Sequence, residues 1–122
     1  MSSLGADFAQ ALLAKDFDRV REIVDPAVDF RALTPRRSWE PAGVDELIDE
    51  VLEAWFDSWK ELQRLAAVET GEIGDRHRVA YRFEGSNQDG PFVVEQQVYY
   101  EVEDGRISWM RVLCSGARPV AG

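Results

Sequence analysis

The chain has 122 residues, of which 45% are hydrophobic, and a formal net charge of −9 at pH 7. This length fits one domain with a core of its own, and the composition is that of a globular protein. The acidic balance argues against nucleic acid and anionic membrane surfaces as partners, because both attract basic patches. We therefore expect a single domain over residues 1–122, with its ordered core at about 4–116.

Cysteine content and the first residues of the chain bear on its compartment. Cys114 is the single cysteine, so it has no intrachain disulfide partner and supplies no zinc-finger ligand set. The segment Met1–Asp7 has neither the basic region nor the apolar run of a signal peptide, and no stretch is long enough to span a membrane. These features predict a cytoplasmic protein.

Helical periodicity dominates the first half of the chain. Apolar residues at helical spacing predict one helix over Leu4–Ala14 and a second that begins after Asp16, a good N-cap residue, and ends at Pro26. The clearest helix is predicted over Val44–Trp59, where apolar residues recur on one face. Acidic side chains occupy the rest of this helix, so its apolar stripe is expected to face the core.

Alternation of apolar and polar residues predicts strands. Val28–Ala32 is predicted to be a short strand, and Thr34–Pro41 is predicted to be a loop because of its two prolines. From Leu62 the hydrophobic period changes to two, which predicts four strands joined by tight turns. These strands are Leu62–Ile73, Arg78–Gly85, Phe92–Glu103 and Arg106–Ser115. Short turns imply antiparallel neighbours, so the sequence predicts an α+β fold whose sheet curls around the long helix.

The same alternation assigns the two faces of each strand. Tyr81 is predicted to face the helices, and so is the face of the next strand that carries Gln96. The last strand differs, because both of its faces are largely apolar. We expect its outer face to form a homodimer interface, since Tyr, Trp and Arg are enriched at such interfaces. The predicted interface residues are Tyr99, Trp109, Arg111 and Leu113. Alternatively, Trp109 packs under a loose C-terminal tail from Ala117 to Gly122.

Three stretches carry a resemblance to a known superfamily. Leu13–Asp18 resembles the family's break between its first two helices, Val24–Phe30 resembles the entry to its first strand, and Asp104–Arg111 resembles its last hairpin. With this order of elements, the chain resembles the nuclear transport factor 2-like superfamily, and within it the SnoaL-like and ketosteroid isomerase-like proteins. The resemblance implies a cone-shaped, curved antiparallel sheet wrapped around three N-terminal helices. It also implies a small, mostly apolar molecule bound in the mouth of the cone, without a cofactor.

The ketosteroid isomerases of this superfamily use an aspartate base at the end of the first strand, with a tyrosine and a protonated aspartate as oxyanion donors. The resemblance places Phe30 at the position of the base and Phe8 at that of the tyrosine. Val98, or Tyr99 if the register slips by one residue, takes the position of the second aspartate. The classical isomerase residues are therefore expected to be absent.

A pocket lined mostly by apolar side chains is expected inside the cone. Gln96, Tyr81 and Tyr100 would orient a small apolar ligand and polarise a carbonyl group by hydrogen bonding. The alternative is a filled core in which Gln96 bonds to backbone and the tyrosine hydroxyls reach the surface. Asp29 would be a general base only if the first strand were shifted by one residue, and it is otherwise a solvated acid beside Arg31. The expected lining residues are Phe8, Leu12, Phe30, Trp55, Trp59, Tyr81, Phe83, Gln96, Val98, Tyr100, Met110 and Cys114.

Three other candidate groups have ordinary explanations. His77, the single histidine, lies beside a hairpin turn and is expected to be solvated, so no Ser/His or Cys/His catalytic arrangement is expected. The acids of Asp45–Asp57 spread over the polar face of a helix and are not expected to bind a metal. Cys114 is expected to be a small buried hydrophobe rather than a nucleophile.

The loop that carries Arg36, Arg37, Trp39 and Glu40 is expected near the open end of the cone. Its arginines would meet an anionic group if the loop acts as a lid, whereas Trp39 would otherwise cover the edge of the core.

The sequence thus predicts a homodimeric SnoaL-like protein that binds a small hydrophobic or aromatic molecule. Isomerase, cyclase or hydratase-type proton chemistry is the class expected of it as an enzyme. The alternative is a non-catalytic dimerisation or protein-association module.

Overall fold

A computed structural model describes residues 3–120, apart from the side chain of Ser58, as an α+β fold. Two short helices come first, α1 at Leu4–Ala14 and α2 at Phe17–Ile23. A third, α3, runs without a break through Val44–Glu46, Leu47–Leu52 and Glu53–Trp59. The strands are β1 (Val24–Thr34), β2 (Arg37–Trp39), β3 (Glu61–Ile73), β4 (Arg76–Asn87), β5 (Gly90–Glu103), β6 (Arg106–Cys114) and β7 (Arg118–Pro119). No helix in this part of the chain is long and apolar enough to cross a membrane.

Local hydrogen bonds fix the break between the first two helices. Lys15 ends α1 in the left-handed conformation, at φ 53°, and the Asp16 carboxylate then accepts the Arg19 N–H at 3.0 Å. The predicted N-cap at Asp16 is therefore confirmed. A cap of this kind contributes about 0.5–2 kcal/mol to helix stability.

The predicted long helix is also confirmed, with one feature that the sequence did not indicate. Leu47–Leu52 is a π-helix. The apolar residues of this helix have an average period slightly longer than 3.6 residues, so their stripe would drift around the axis of an ideal α-helix. A π-helical turn is wider and rotates less per residue, which compensates for that drift. As a result Trp55 and Trp59 are as buried as Val44.

One seven-stranded sheet holds the strands in the order β2-β1-β6-β5-β4-β3, with β7 paired to β5. Its neighbours are antiparallel as predicted, except that β1 and β6 run parallel. Parallel neighbours require a long crossover, and here the whole of α3 through β5 connects the two strands. The three helices pack against one face of the curved sheet, so the core lies between that face and the helices.

Strand pairing corrects the predicted loop Thr34–Pro41. This segment contains β2, which pairs with the end of β1 through a turn at Pro35 and Arg36. After residue 116, the short strand β7 pairs with Phe92 and Val93; residues 121 and 122 lie outside the described part. By alternation Val102 shares the face of β5 that carries Gln96 and was expected to be buried. It is 37% exposed, and the β5–β6 register shifts between Glu101 and Val102.

Candidate functional site

The expected pocket residues all lie in the interior of the cone. Each of the twelve is buried, with at most 4% of its surface exposed. All of them except Gln96 belong to one continuous hydrophobic cluster. The alternation of side chains along β4, β5 and β6 was therefore sufficient to identify the inner face of the sheet.

A chain of aromatic rings runs through this interior. Trp55 stacks on Trp59 with 5.6 Å between ring centroids, Trp59 lies 6.4 Å from Phe83, and Phe83 lies 5.1 Å from Tyr81. We call these four residues the aromatic wall. It connects the C-terminal part of α3 to the inner face of β4. Rings at such separations attract one another beyond their simple burial.

The polar end of the interior is a hydrogen-bonded pair. The Tyr81 hydroxyl donates to Gln96 Oε1 at 2.5 Å, and the two residues are direct neighbours in the β4–β5 register. Cys114 lies opposite Gln96 on β6. Burial raises the pKa of Tyr81 well above 10.0, with a smaller contribution from the Cys114 charge, and burial also raises the pKa of Cys114. These groups are therefore uncharged near neutral pH.

Two buried donors in the described part of the chain lack a hydrogen-bond partner. They are the Trp55 indole nitrogen and Gln96 Nε2. The contact of the Gln96 side chain with the Cys114 thiol offsets part of the rise in the pKa of that thiol, but Nε2 makes no hydrogen bond of ordinary geometry. An unpaired buried donor costs about 1–3 kcal/mol of stability, so each marks a point where the interior is not optimised for stability alone.

Tyr100 does not join this polar pair, because its hydroxyl is engaged at the start of α1. There it accepts the Gly5 N–H at 3.0 Å, and its ring stacks on His77 with 5.1 Å between centroids. A Cβ on Gly5 would lie 2.7 Å from the Tyr100 ring, so the contact needs glycine. Tyr100 thus anchors α1 to the sheet, and His77 is exposed, as predicted.

No proton-accepting carboxylate faces the interior in the described residues, where Gln96 is the buried polar or charged side chain. Phe8, Phe30 and Val98, at the positions of the isomerase residues, are buried and apolar. Asp29 points the other way and pairs with Arg111 at 3.1 Å. Among residues 3–120, apart from Ser58, no group of three or more His, Cys, Asp or Glu side chains could hold a metal ion.

Contacts of Trp39 place the β2 segment against the edge of the core. Trp39 is 9% exposed, packs edge-on against Trp55 at 6.3 Å, and donates from its indole nitrogen to Thr34 Oγ1 at 2.8 Å. The Arg37 guanidinium lies 3.5 Å from its ring centroid. Trp39 therefore covers the edge of the core, which was one of the two expectations for this segment.

The outer face of the sheet brings together the four residues of the predicted dimer interface. Arg111 and Arg76 lie over the Trp109 ring at 4.4 and 4.2 Å. Leu113 is 59% exposed and lies opposite Leu33, which is 56% exposed. Trp109 does not pack under β7, which pairs near the other end of β5.

The surface pockets along the sheet open on this outer face. One of about 420 Å³ lies between β2 and the outer side chains Leu33, Tyr99 and Leu113. Another of about 590 Å³ is lined by consecutive residues of β4, β5 and β6, and Tyr81, Gln96 and Cys114 contribute to it from the far side of the sheet. A third, of about 330 Å³, includes Trp109.

Solved structures share this architecture at low sequence identity. An NTF2-like protein from Burkholderia thailandensis has a TM-score of 0.70 at 19% identity, over 92% of this chain and 88% of that one. IdmH from Streptomyces antibioticus, which is proposed to be a polyketide cyclase, has a TM-score of 0.72 at 16% identity, over 91% and 88%. A protein of unknown function with a cystatin-like fold from Xanthomonas campestris has a TM-score of 0.69 at 14% identity, over 91% and 87%. No protein-family model and no curated protein matches the sequence.

Proposed function

We propose that this chain, which has the nuclear transport factor 2-like fold, is a cytoplasmic SnoaL-like protein that binds a small hydrophobic or aromatic molecule inside the cone. The observation that supports this most is the Tyr81–Gln96 pair, a polar element buried beside the aromatic wall. Ligand sites are typically apolar with a few placed polar groups. The buried free thiol of Cys114 is compatible with a reducing compartment.

Carbonyl polarisation is the chemistry that this interior would supply to a substrate. The likeness to IdmH supports a reaction of the cyclase, isomerase or hydratase kind, in which an enolate or alkoxide oxygen develops charge. Hydrogen bonds aimed at such an oxygen lower the barrier more in a dry site than in water. The described interior offers such donors in Gln96 and Trp55, and it offers no carboxylate as a base.

A fluorescence titration with 2-acetylnaphthalene tests the binding proposal. Trp55 and Trp59 lie in the wall, so a bound naphthalene ring should change tryptophan emission saturably. The Trp109→Phe variant is the matched control, because it removes a tryptophan from the outer face and should leave the response intact. A wild-type protein with no saturable response, and no increase in Tm with this compound or a wider aromatic panel, would overturn the proposal.

A second function, homodimerisation through the outer face, is favoured by exposed apolar side chains. Leu33, Leu113 and Ile73 are each more than half exposed, and Leu33 and Leu113 are paired across neighbouring strands. Oppositely charged groups surround them, including the ion pair of Asp29 with Arg111, which suits a self-complementary surface. This face would form the contact surface of a homodimer. It would do the same in a non-catalytic protein-association module.

Sedimentation equilibrium tests the dimer. The Leu113→Glu variant should be monomeric at concentrations where the wild type is dimeric, because it buries a charge at the interface. Val68→Glu is the control, since Val68 is 41% exposed on the edge strand β3 and should not affect the association. A monomeric wild type, or equal effects of the two variants, would count against this surface.

A further inference from the structure

We propose that the pocket between β2 and the outer face of the sheet binds a small amphiphilic carboxylate. Its carboxylate group would lie at Arg31 and Arg111, and its apolar part would lie on Leu33 and Leu113. The pocket has a volume of about 420 Å³, within the range of small-molecule sites, and all four side chains line it. This site is separate from the proposed ligand site inside the cone.

Strand register arranges the four side chains in two neighbouring rows. Leu33 on β1 is the direct neighbour of Leu113 on β6. Two residues earlier on both strands, and so on the same face, Arg31 is the direct neighbour of Arg111. The pocket therefore has an apolar floor beside a basic rim, which matches a molecule that is apolar at one end and negatively charged at the other.

The apolar floor is open to a ligand. Leu33 and Leu113 are each more than half exposed, and apolar surface that is removed from water favours binding in proportion to its area. Ser38 and Glu40 close one side of the pocket next to β2. A hydrocarbon chain on the two leucines would therefore be covered on two sides and would lose more contact with water than on a flat sheet.

The two arginines retain binding capacity for an anion. Arg111 makes its hydrogen bonds to Asp29 and to the Met110 carbonyl oxygen through one nitrogen, Nη1, so these bonds do not use Nη2. Arg31 Nε lies 3.7 Å from Glu40 Oε1, which is beyond ordinary hydrogen-bond distance. Like charges on directly opposed residues destabilise a sheet, and a carboxylate that accepts from both guanidinium groups would offset their repulsion.

The overall charge of −9 does not exclude an anion from this pocket. Exposed charges farther away than about 8 Å are largely screened at physiological ionic strength, so the lining residues dominate the local potential. Among the described residues that line the pocket, the charged ones are Arg31, Arg111 and Glu40. The lining thus carries a net positive charge on a protein that is acidic as a whole.

Backbone NMR titration of the full chain with three ligands of equal chain length tests the proposal. Octanoate, 1-octanol and octylammonium share one apolar chain and differ in the charge of the head group. We expect the amides of Leu33, Ser38 and Leu113 to shift saturably with octanoate. Octanoate should bind about tenfold more tightly than 1-octanol, as one charge-assisted hydrogen bond provides, and octylammonium should bind more weakly than both. The titrations are run at several protein concentrations, because a dimer formed through Leu113 would cover the pocket and weaken binding as the concentration rises.

Matched variants localise the two ends of the ligand. Arg31→Gln should weaken octanoate binding about fivefold and leave 1-octanol nearly unchanged, because a charged donor is lost. Arg64→Gln is the control, since Arg64 is similarly exposed and lies at the same 3.7 Å from its acidic partner Glu84, but on β3 and outside the pocket. Leu113→Ser shortens the apolar floor and should weaken octanoate and 1-octanol by a similar factor, about threefold.

Several results would overturn the inference. Equal affinities for octanoate and 1-octanol, or tighter binding of octylammonium, would show that the pocket does not recognise a carboxylate. Equal effects of Arg31→Gln and Arg64→Gln would show that only the total charge of the protein matters. The absence of a saturable shift at Leu33 and Leu113 would remove the site. Shifts confined to the Trp55 indole and the Gln96 amide would do the same and would leave the ligand site in the cone as the place of binding.

Discussion

The inner and outer faces of one sheet differ more than any two separate elements of this molecule. On the inner face Gln96 and Met110 are buried, and the buried polar groups are few: the Tyr81–Gln96 pair and the Tyr100 hydroxyl, which accepts from Gly5. One residue along each strand, Gln97 and Arg111 face outward among ion pairs, exposed leucines and hollows. Alternation along a strand therefore separates a candidate ligand site from a candidate association surface by one backbone thickness. A substitution on one face should have little effect on the other.

The largest expected difference between the two faces is in the free energy of unfolding. Phe83→Ala removes a fully buried ring from the aromatic wall and should lower the free energy of unfolding by about 3–5 kcal/mol. Leu113→Ala, on a side chain that is 59% exposed, should change it by no more than about 0.5 kcal/mol. Urea denaturation of the two variants measures both values. Similar losses for the two would show that the outer face is as important for folding as the inner one.

The next largest effect on stability is expected at Gly5. Gly5→Ala should cost about 1–3 kcal/mol, because the new methyl group would lie 2.7 Å from Tyr100 and Val79 side-chain atoms. Gly71→Ala is the control on β3, where the nearest atom is 3.6 Å away on the flexible side chain of Arg78. Denaturation curves should show a loss for Gly5→Ala only. An unchanged Gly5→Ala variant would mean that Tyr100 does not anchor α1.

Removal of the Tyr81–Gln96 hydrogen bond should have a smaller, non-additive effect on the free energy of unfolding. Tyr81→Phe and Gln96→Met each leave a buried partner without its hydrogen bond and should each cost about 1–2 kcal/mol. The double variant should be less destabilised than the sum of the two, because it removes both groups together. A double-mutant cycle in urea measures this coupling. Strictly additive losses would show that the Tyr81–Gln96 bond contributes nothing measurable.

The smallest expected effect is the loss of stability at alkaline pH that the buried groups of the inner face cause. Burial raises the pKa values of Cys114 and Tyr81 above their ordinary values of 9.0 and 10.0, so the unfolded chain loses these protons first. The contribution of these two groups to stability should therefore be constant below about pH 9 and fall as the pH rises above it. Tm measured across this range should decline less steeply in Cys114→Ala between pH 9 and 10. Parallel curves for the two proteins would contradict the burial of the thiol.

Local signals in the sequence explain why so much of the fold could be predicted. Asp16 caps its helix through a partner three residues away, and Gln96 faces inward because its strand alternates. One feature that was not predicted depends on a distant partner, since the Tyr100–Gly5 contact spans 95 residues. β2 was missed although its partner is local, because Thr34 pairs back to Arg37 across a turn in which Arg36, a residue other than glycine, has φ 68°. A glycine inside a predicted helix was the one available signal of a close approach at Gly5.

The candidate site was predicted less completely than the fold for the same reason. Strand alternation placed Tyr81, Gln96 and Tyr100 on one face, but it does not give the register between neighbouring strands. Gln96 and Tyr100 are four residues apart on β5, about 13 Å at roughly 3.3 Å per residue, so one small group cannot reach both. The structure joins Tyr81 to Gln96 and engages Tyr100 at the start of α1. The unpartnered Trp55 nitrogen depends on how α3 packs against the sheet. The π-helical segment before it was not predicted, although the slightly long spacing of the apolar residues is compatible with it.

Side-chain NMR during titration with 2-acetylnaphthalene tests the central claim most directly. The account predicts that the Gln96 amide and Trp55 indole resonances shift saturably, while the Trp109 indole resonance on the outer face stays in place. Shifts confined to Trp109 would move the ligand site to the outer face. A titration in which none of the three resonances shifts would contradict a ligand site in the cone.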